Sequence, residues 1–263
     1  MSVLTYLEKV ASTLVLTGAE NQSICRSIST LETRLALFDE KSEIKTSYIF
    51  GSYDRNTILP RQYDYHSDVD YMIVFKDAFK VNPESRLRWL QKFANTKYST
   101  SEVHRDYPTI ALELNHIRFE LVPAVEMGSS INLQIPAPKS QYLSWIYTNP
   151  SQLALQSLDA NRRISYKFFK PLVRILKLWN VRNGRPFSSY ELEQQLAQLI
   201  FYSGNNLEDY LYYAVNWLTA PFMSETNKKK VERLKQQIQT AQTYKKIGSE
   251  AAAENIVQSL FPL

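Results

Sequence analysis

"IFGSYDRNTILPRQYDYHSDVDYMIVF", residues 49–75, is the stretch on which the fold turns. An apolar run ends in Gly51-Ser52, a cluster of Tyr, Arg and Thr follows, and Asp68 and Asp70 then open a second apolar run. "TSYIF" (46–50) and "VDYMIVF" (69–75) are short, aromatic and β-branched, as strands are. Residues i and i+2 of a strand project from the same face, so Asp68 and Asp70 lie side by side where the strand begins. Two carboxylates held that close repel, and they persist where a cation or hydrogen bonds offset the repulsion. Hard oxygen ligands of this kind suit Mg²⁺ or Mn²⁺, ions that also bind substrate phosphates. An isolated Asp-x-Asp also fits a solvated loop cap, and at this level both readings stand.

The neighbouring residues narrow the choice. Gly51 allows backbone to approach a ligand closely. Ser52 adds a hydroxyl and an N–H at a strand-to-helix turn, a natural place for phosphate. Arg55 and Thr57 add further donors. In "FELVPA" (119–124), Glu120 lies between Phe119 and Leu121 and therefore faces opposite to both. An unpaired Glu beside buried apolar residues is costly, so Glu120 is either a third metal ligand or a partner for Arg118 or another basic residue. Asp68, Asp70 and Glu120 form a set able to hold two metal ions for in-line phosphoryl or nucleotidyl transfer.

Further out, residues 2–39 read as one or two amphipathic helices with an apolar stripe of Ile24, Ile28, Leu31, Leu35 and Leu37. Arg86 to Ala94 suggests another helix. "PTIALEL" and "IRFELVPAV" flank Asn115-His116 as an antiparallel hairpin. Beyond about residue 126 the strand signal disappears. Asn149-Pro150 marks a helix start, and "FKPLVRILKLWNVRNG" is an apolar helix closed by Gly184. "SSYELEQQLAQLIFY" follows, capped by Ser188 or Ser189. In "NKKKVERLKQQIQTAQTYKK", Val231, Leu234, Ile238 and Ala241 fall at helical spacing. Its lysines form a solvated face or a nucleic-acid contact. The expected organisation is an α/β half carrying the carboxylates, residues 1–126 with the N-terminal helix, joined to a helical half, 127–263.

Composition bounds the function. The 263 residues can bury a substantial core, and 44% hydrophobic with 22% charged residues is ordinary for a globular chain. A single cysteine, Cys25, excludes an internal disulfide framework and a cysteine-rich zinc site. The N-terminus lacks a signal-peptide pattern and no apolar stretch reaches membrane-spanning length, so a cytoplasmic protein without membrane association is expected. A net charge of +5 suits a polyanionic substrate such as a nucleotide or nucleic acid.

The pattern h-G-S-Y-x-R-x-T, then D-x-D-Y-x-h-h-F, then h-E-h-V-P-A resembles the nucleotidyltransferase core of the DNA polymerase β superfamily. More narrowly it resembles the bacterial CD-NTases, relatives of cyclic GMP-AMP synthase and oligoadenylate synthase. "PLVRILKLWNVRNG" followed by "SSYELE" is similar to their second-lobe signature, and the likeness covers roughly residues 20–200. It implies an α/β (α+β) fold: a polymerase β-like core with a mixed sheet, an N-terminal spine helix and a helical C-terminal lobe closing an NTP cleft. It implies that Gly51 and Ser52 hold the triphosphate, with Arg55 and Thr57 nearby. Asp68, Asp70 and Glu120 would coordinate Mg²⁺ (or Mn²⁺), Glu120 would also activate the attacking hydroxyl, and Lys177 and Ser189 would contact the triphosphate. From the residues alone, Lys177 also reads as an exposed helix charge and Ser189 as a helix cap. Tyr53, Tyr63 and Tyr65 are loop candidates for stacking on bases. Two positions depart from the pattern: Glu120 stands where the third acid is usually Asp, and Asn56 where Gly is common.

The implied activity is metal-dependent synthesis of a cyclic di- or oligonucleotide second messenger from NTPs in anti-phage defence, with a nucleic acid or protein activator and a downstream effector reading the product. Two alternatives stay open: a nucleotidyltransferase modifying tRNA or protein, toxin-like, and a catalytically inactive nucleotide- or RNA-binding module.

Overall fold

The structure, a computed structural model, describes residues 2–39, 41–76, 81–127, 129–138, 144–164, 167–201, 206–220 and 223–263. They form two compact units: Leu16–Arg61 with Tyr65–Ser151, and Met1–Val15 with Gln62–Asp64 and Gln152–Leu263.

The first unit is a mixed sheet of seven strands: β1 (Ile44–Phe50), β2 (Asp68–Phe75), β3 (Glu102–Asp106), β4 (Thr109–Glu113), β5 (Arg118–Met127), β6 (Ser129–Pro136) and β7 (Trp145–Thr148). The order is β1-β2-β5-β4-β3, with β6 pairing the far end of β5 and β7 pairing β6. β2 and β5 are parallel and the other pairs antiparallel. The expected hairpin is β4–β5, closed by Leu114 N–H donating to the Ile117 carbonyl at 2.9 Å. The expected loss of strands after residue 126 is corrected by β6 and β7.

Period-two alternation divides the sheet into two unlike faces. Val69, Tyr71, Ile73 and Phe75 of β2 join Phe119 and Leu121 of β5 and Ile110 and Leu112 of β4 in the main core. Helices α2 (Gly18–Ala36) and α4 (Pro83–Lys97) cover that face, through Ile24, Leu31 and Leu35 of α2 and Leu87, Leu90 and Phe93 of α4. Leu37 does not extend the stripe: it caps α2 and is 65% exposed, whereas Phe38, three residues beyond Leu35, is buried. Burial of this apolar face contributes most to the stability of the unit. The opposite face continues from Asp68 and Asp70 to Met72 and Val74, which pack with Val122, Ala124 and Leu133.

The second unit holds α1 (Val3–Thr13), α5 (Pro150–Arg163), α6 (Phe169–Arg182), α7 (Ser189–Gln198), α8 (Leu207–Trp217), α9 (Glu225–Lys246) and α10 (Glu250–Leu260). α6 is buried nearly all round, with Arg174, Lys177 and Asn180 among its buried residues. Asn180 clasps the turn into α7: its amide nitrogen donates to the Phe187 carbonyl at 2.9 Å, and its oxygen accepts from Phe187 N–H at 3.0 Å. Gly184, at φ +71°, follows the C-cap of α6 as a left-handed residue. α9 buries Val231, Leu234, Ile238 and Ala241, the four residues its spacing selects. The end of the run following α7, Tyr202, lies outside the described residues. Among the described residues no helix is long and apolar enough to cross a membrane.

Candidate active site

β1 delivers the chain to Gly51 and Ser52, and β2 delivers the two aspartates beside them. Phe50 pairs with Asp70 across β1 and β2, and Asp70 pairs with Glu120 across β2 and β5. In-register residues of a parallel pair share a face, so Asp68, Asp70 and Glu120 stand on one face of adjacent strands, opposite the main core. All three are half-buried.

Gly51 is fixed by the acid it supports. Its φ is +77°, and a Cβ there would lie 1.8 Å from Asp70 Oδ2 and 2.6 Å from Asp70 Cγ. The Asp70 carboxylate therefore rests where any larger residue would put its side chain. From Gly51 the chain makes the one-turn helix α3 (Gly51–Asp54), and the Ser52 carbonyl accepts from Thr57 N–H at 2.9 Å and Ile58 N–H at 3.1 Å. Thr57 is 1% exposed, and its hydroxyl also points to the Ser52 carbonyl, at 3.4 Å. Arg55 caps α3 and is half-buried. Asn56 adopts φ +56°, the left-handed conformation that Gly accepts freely and Asn tolerates best among other residues. That accounts for Asn in a position where the resembled pattern has Gly.

Glu120 is held away from its ordinary ionisation. Its removal from water and the nearby Asp68 charge push its carboxyl up to about 7, against the opposing pull of Arg118. Arg118 Nη2 donates to Glu120 Oε1 at 2.9 Å and also pairs with Asp106. The pairing foreseen as the plain role of Glu120 is therefore present. Among the described residues, no three His, Cys, Asp or Glu side chains converge closely enough to hold a metal ion as they stand. The donor chemistry nonetheless fits a hard divalent ion: acidic oxygens crowd one face, and at least one carboxyl resists ionising there without a further cation.

Lys177 and Ser189 belong to the helical unit. Lys177 is not an exposed charge. It is 5% exposed, and its Nζ lies 2.5 Å from Oε1 of Glu193, itself 1% exposed. Ser188, not Ser189, caps α7, in a capping box with Glu191. Ser189 is the first helical residue and is exposed. Glu193 has no sequence signal of its own, since it sits on a different helix from the lysine it holds. Of the three loop tyrosines, Tyr53 is tied down, its hydroxyl donating to Asn21 Oδ1 at 2.8 Å, whereas Tyr65 is 73% exposed.

Residues 1–161 match the family described as the Second Messenger Oligonucleotide or Dinucleotide Synthetase domain. No curated protein matches the chain in sequence. Among solved structures, the chain is similar to the CD-NTase CdnG of Bradyrhizobium diazoefficiens in complex with GTP, at 12% identity and a TM-score of 0.72, covering 98% of each chain. It is similar to CdnC of E. coli MS115-1 with ATP, at 13% identity and a TM-score of 0.74, covering 100% of this chain and 98% of that one. Against the Vibrio cholerae cyclic AMP-GMP synthase DncV with a nonhydrolysable GTP, identity is 14% and the TM-score 0.72, covering 95% and 92%. At such identities the structures report the shared fold.

Proposed function

The chain belongs to the Second Messenger Oligonucleotide or Dinucleotide Synthetase family of nucleotidyltransferases, and from that premise we propose that it joins NTPs into a cyclic di- or oligonucleotide with a divalent metal at Asp68 and Asp70. The observation that carries the reading is the common face of Asp68, Asp70 and Glu120, with the Asp70 carboxylate seated on Gly51. A bound Mg²⁺ or Mn²⁺ would neutralise triphosphate charge and polarise the reacting phosphoryl group. Asp68 and Asp70 would hold it, and Glu120 would join them on leaving Arg118.

In this reading the hydroxyl oxygen of one nucleotide bonds to the α-phosphorus of another, the bond to pyrophosphate breaks, and the hydroxyl proton passes to a base. Glu120 is the candidate for that base, since it stands beside Asp70 on the same face of the adjacent strand. Ser52 and Arg55 would donate to phosphate oxygens, with Gly51 letting the backbone approach. Thr57 would act through the Ser52 loop, its own side chain being buried. Lys177 and Ser189 would bind the triphosphate from the helical unit. A role for the product as a signal in anti-phage defence, read by a downstream effector and under control of an activator, rests on the family likeness, as does a cytoplasmic setting.

The Arg118–Glu120 pair favours one second reading, a nucleotide-binding module without turnover, because it occupies the third acid. The test is incubation of the pure protein with all four NTPs and Mg²⁺ or Mn²⁺, followed by mass spectrometry. A cyclic product supports synthesis; bound but unconverted NTP favours the inactive module.

A further inference from the structure

The face that carries the acids continues across the sheet to its β3 edge. There a cavity of about 1030 Å³ opens within the sheet unit, at the upper end of the size of small-molecule sites. Glu102 and His104 of β3 and Glu113 of β4 line it, all on strand positions that alternate away from the main core. Its rim carries a flat platform. Arg61 Nε donates to the Tyr65 carbonyl at 3.1 Å, and the Arg61 guanidinium lies 4.7 Å from the centre of the Tyr65 ring. An aromatic ring that is 73% exposed yet held in this way is suited to stacking on a planar ligand.

The Glu113 acceptor in this cavity is compensated in charge without being saturated in hydrogen bonds. The Glu113 carboxylate lies between two guanidinium groups, 3.9 Å from Arg61 and 3.7 Å from Arg118. Those are ion-pair separations, longer than a hydrogen bond. Repulsion toward a polyanionic ligand is thus damped, while the carboxylate oxygens can still accept from N–H groups. Among the described residues His104 Nδ1 makes no hydrogen bond and lies 3.7 Å from Glu102 Oε1, too far to be satisfied by it.

We propose that this cavity takes the base of one nucleotide substrate and that Glu113 selects guanine. Guanine alone presents two neighbouring N–H donors, N1 and the 2-amino group, that a carboxylate accepts side by side. Adenine and cytosine set a ring acceptor beside their amine, and uracil flanks its single N–H with two carbonyls, so each turns a lone pair toward the acid. This deepens the nucleotidyltransferase reading and rests on it. The Arg118 side chain touches both Glu113 and Glu120, so the base cavity lies one residue from the reacting acids.

The experiment compares α,β-methylene GTP with α,β-methylene ITP, which lacks only the 2-amino group, by calorimetric titration with Mg²⁺. The wild-type protein should bind the guanine analogue about ten- to a hundredfold more tightly, the worth of one charge-assisted hydrogen bond. Glu113→Gln should lose most of that ratio, with a melting curve confirming that it folds. Tyr65→Leu, at an exposed ring, should weaken both analogues alike and leave the ratio intact. Equal binding of the two analogues, binding of neither, or an unchanged ratio in Glu113→Gln overturns the assignment. Pyrophosphate release from NTPs is measured separately: base selection without turnover retires the synthase reading and keeps the guanine site, whereas turnover without selection does the reverse.

Discussion

Glu120→Gln should make the protein more stable at pH 8 and inactive at the same time. In the folded chain burial and Asp68 raise the Glu120 carboxyl from the usual 4.5 to about 7. Between those values the folded state holds a proton that the unfolded state has released, so this residue's contribution to stability falls as pH rises from about 4.5 to 7 and stays low above it. A shift of that size corresponds to about 3 kcal/mol against the ionised form, and the side chain is shielded enough, at 23% exposed, for most of it to be felt. Glutamine has the same length and no charge. It should gain about 1–3 kcal/mol at pH 8 and almost nothing at pH 4, where the glutamate is mostly protonated in both states. Urea melts of both proteins at the two pH values, without divalent ions, read this directly. A Gln variant that is equally or less stable at pH 8 would refute the crowding of the acids and mean that the Arg118 contact outweighs it. In the same protein, loss of the base and ligand should abolish pyrophosphate release, whereas Glu120→Asp, which keeps charge and oxygens, should retain measurable turnover.

Asp70→Asn should lower turnover on the order of a hundredfold or more while the fold survives; wild-type pyrophosphate release from this variant would remove Asp70 from the site. Gly51→Ala forces a Cβ into the Asp70 carboxylate and a left-handed backbone on alanine, so stability should drop by about 1–3 kcal/mol with turnover lost. Unaltered activity there would mean that Asp70 has room to move. Lys177→Ala strands the buried Glu193 charge and should cost about 3–5 kcal/mol. Lys177→Met with Glu193→Leu should recover most of that loss without recovering nucleotide affinity. If the double variant binds NTP as the wild type does, Lys177 belongs to the core and not to the triphosphate.

What the sequence disclosed follows the range of the interactions involved. The face of Glu120 was legible because alternation with Phe119 and Leu121 is a property of three consecutive residues. The four buried residues of α9 were legible for the same local reason. β6 and β7 were not: "SSINLQIP" holds only two isoleucines and no aromatic, and "WIYT", though wholly β-branched and aromatic, is a single four-residue stretch too short to show a period. They are strands because β5 runs on past β4 and offers an edge to pair with. That Gly51 lies against Asp70, or that Lys177 is sheathed by Glu193, depends on strand register and helix packing, and neither leaves a trace in local spacing. Ser188 and Ser189 mark the boundary between the two kinds of information. The Ser-x-x-Glu spacing to Glu191 picks Ser188 as the cap by local rules alone, and the structure has that box. Assigning the cap to Ser188 leaves the Ser189 hydroxyl outside the capping box at an exposed helix start. A serine committed to a cap would have to surrender its helix to bind phosphate, and Ser189 has no such conflict.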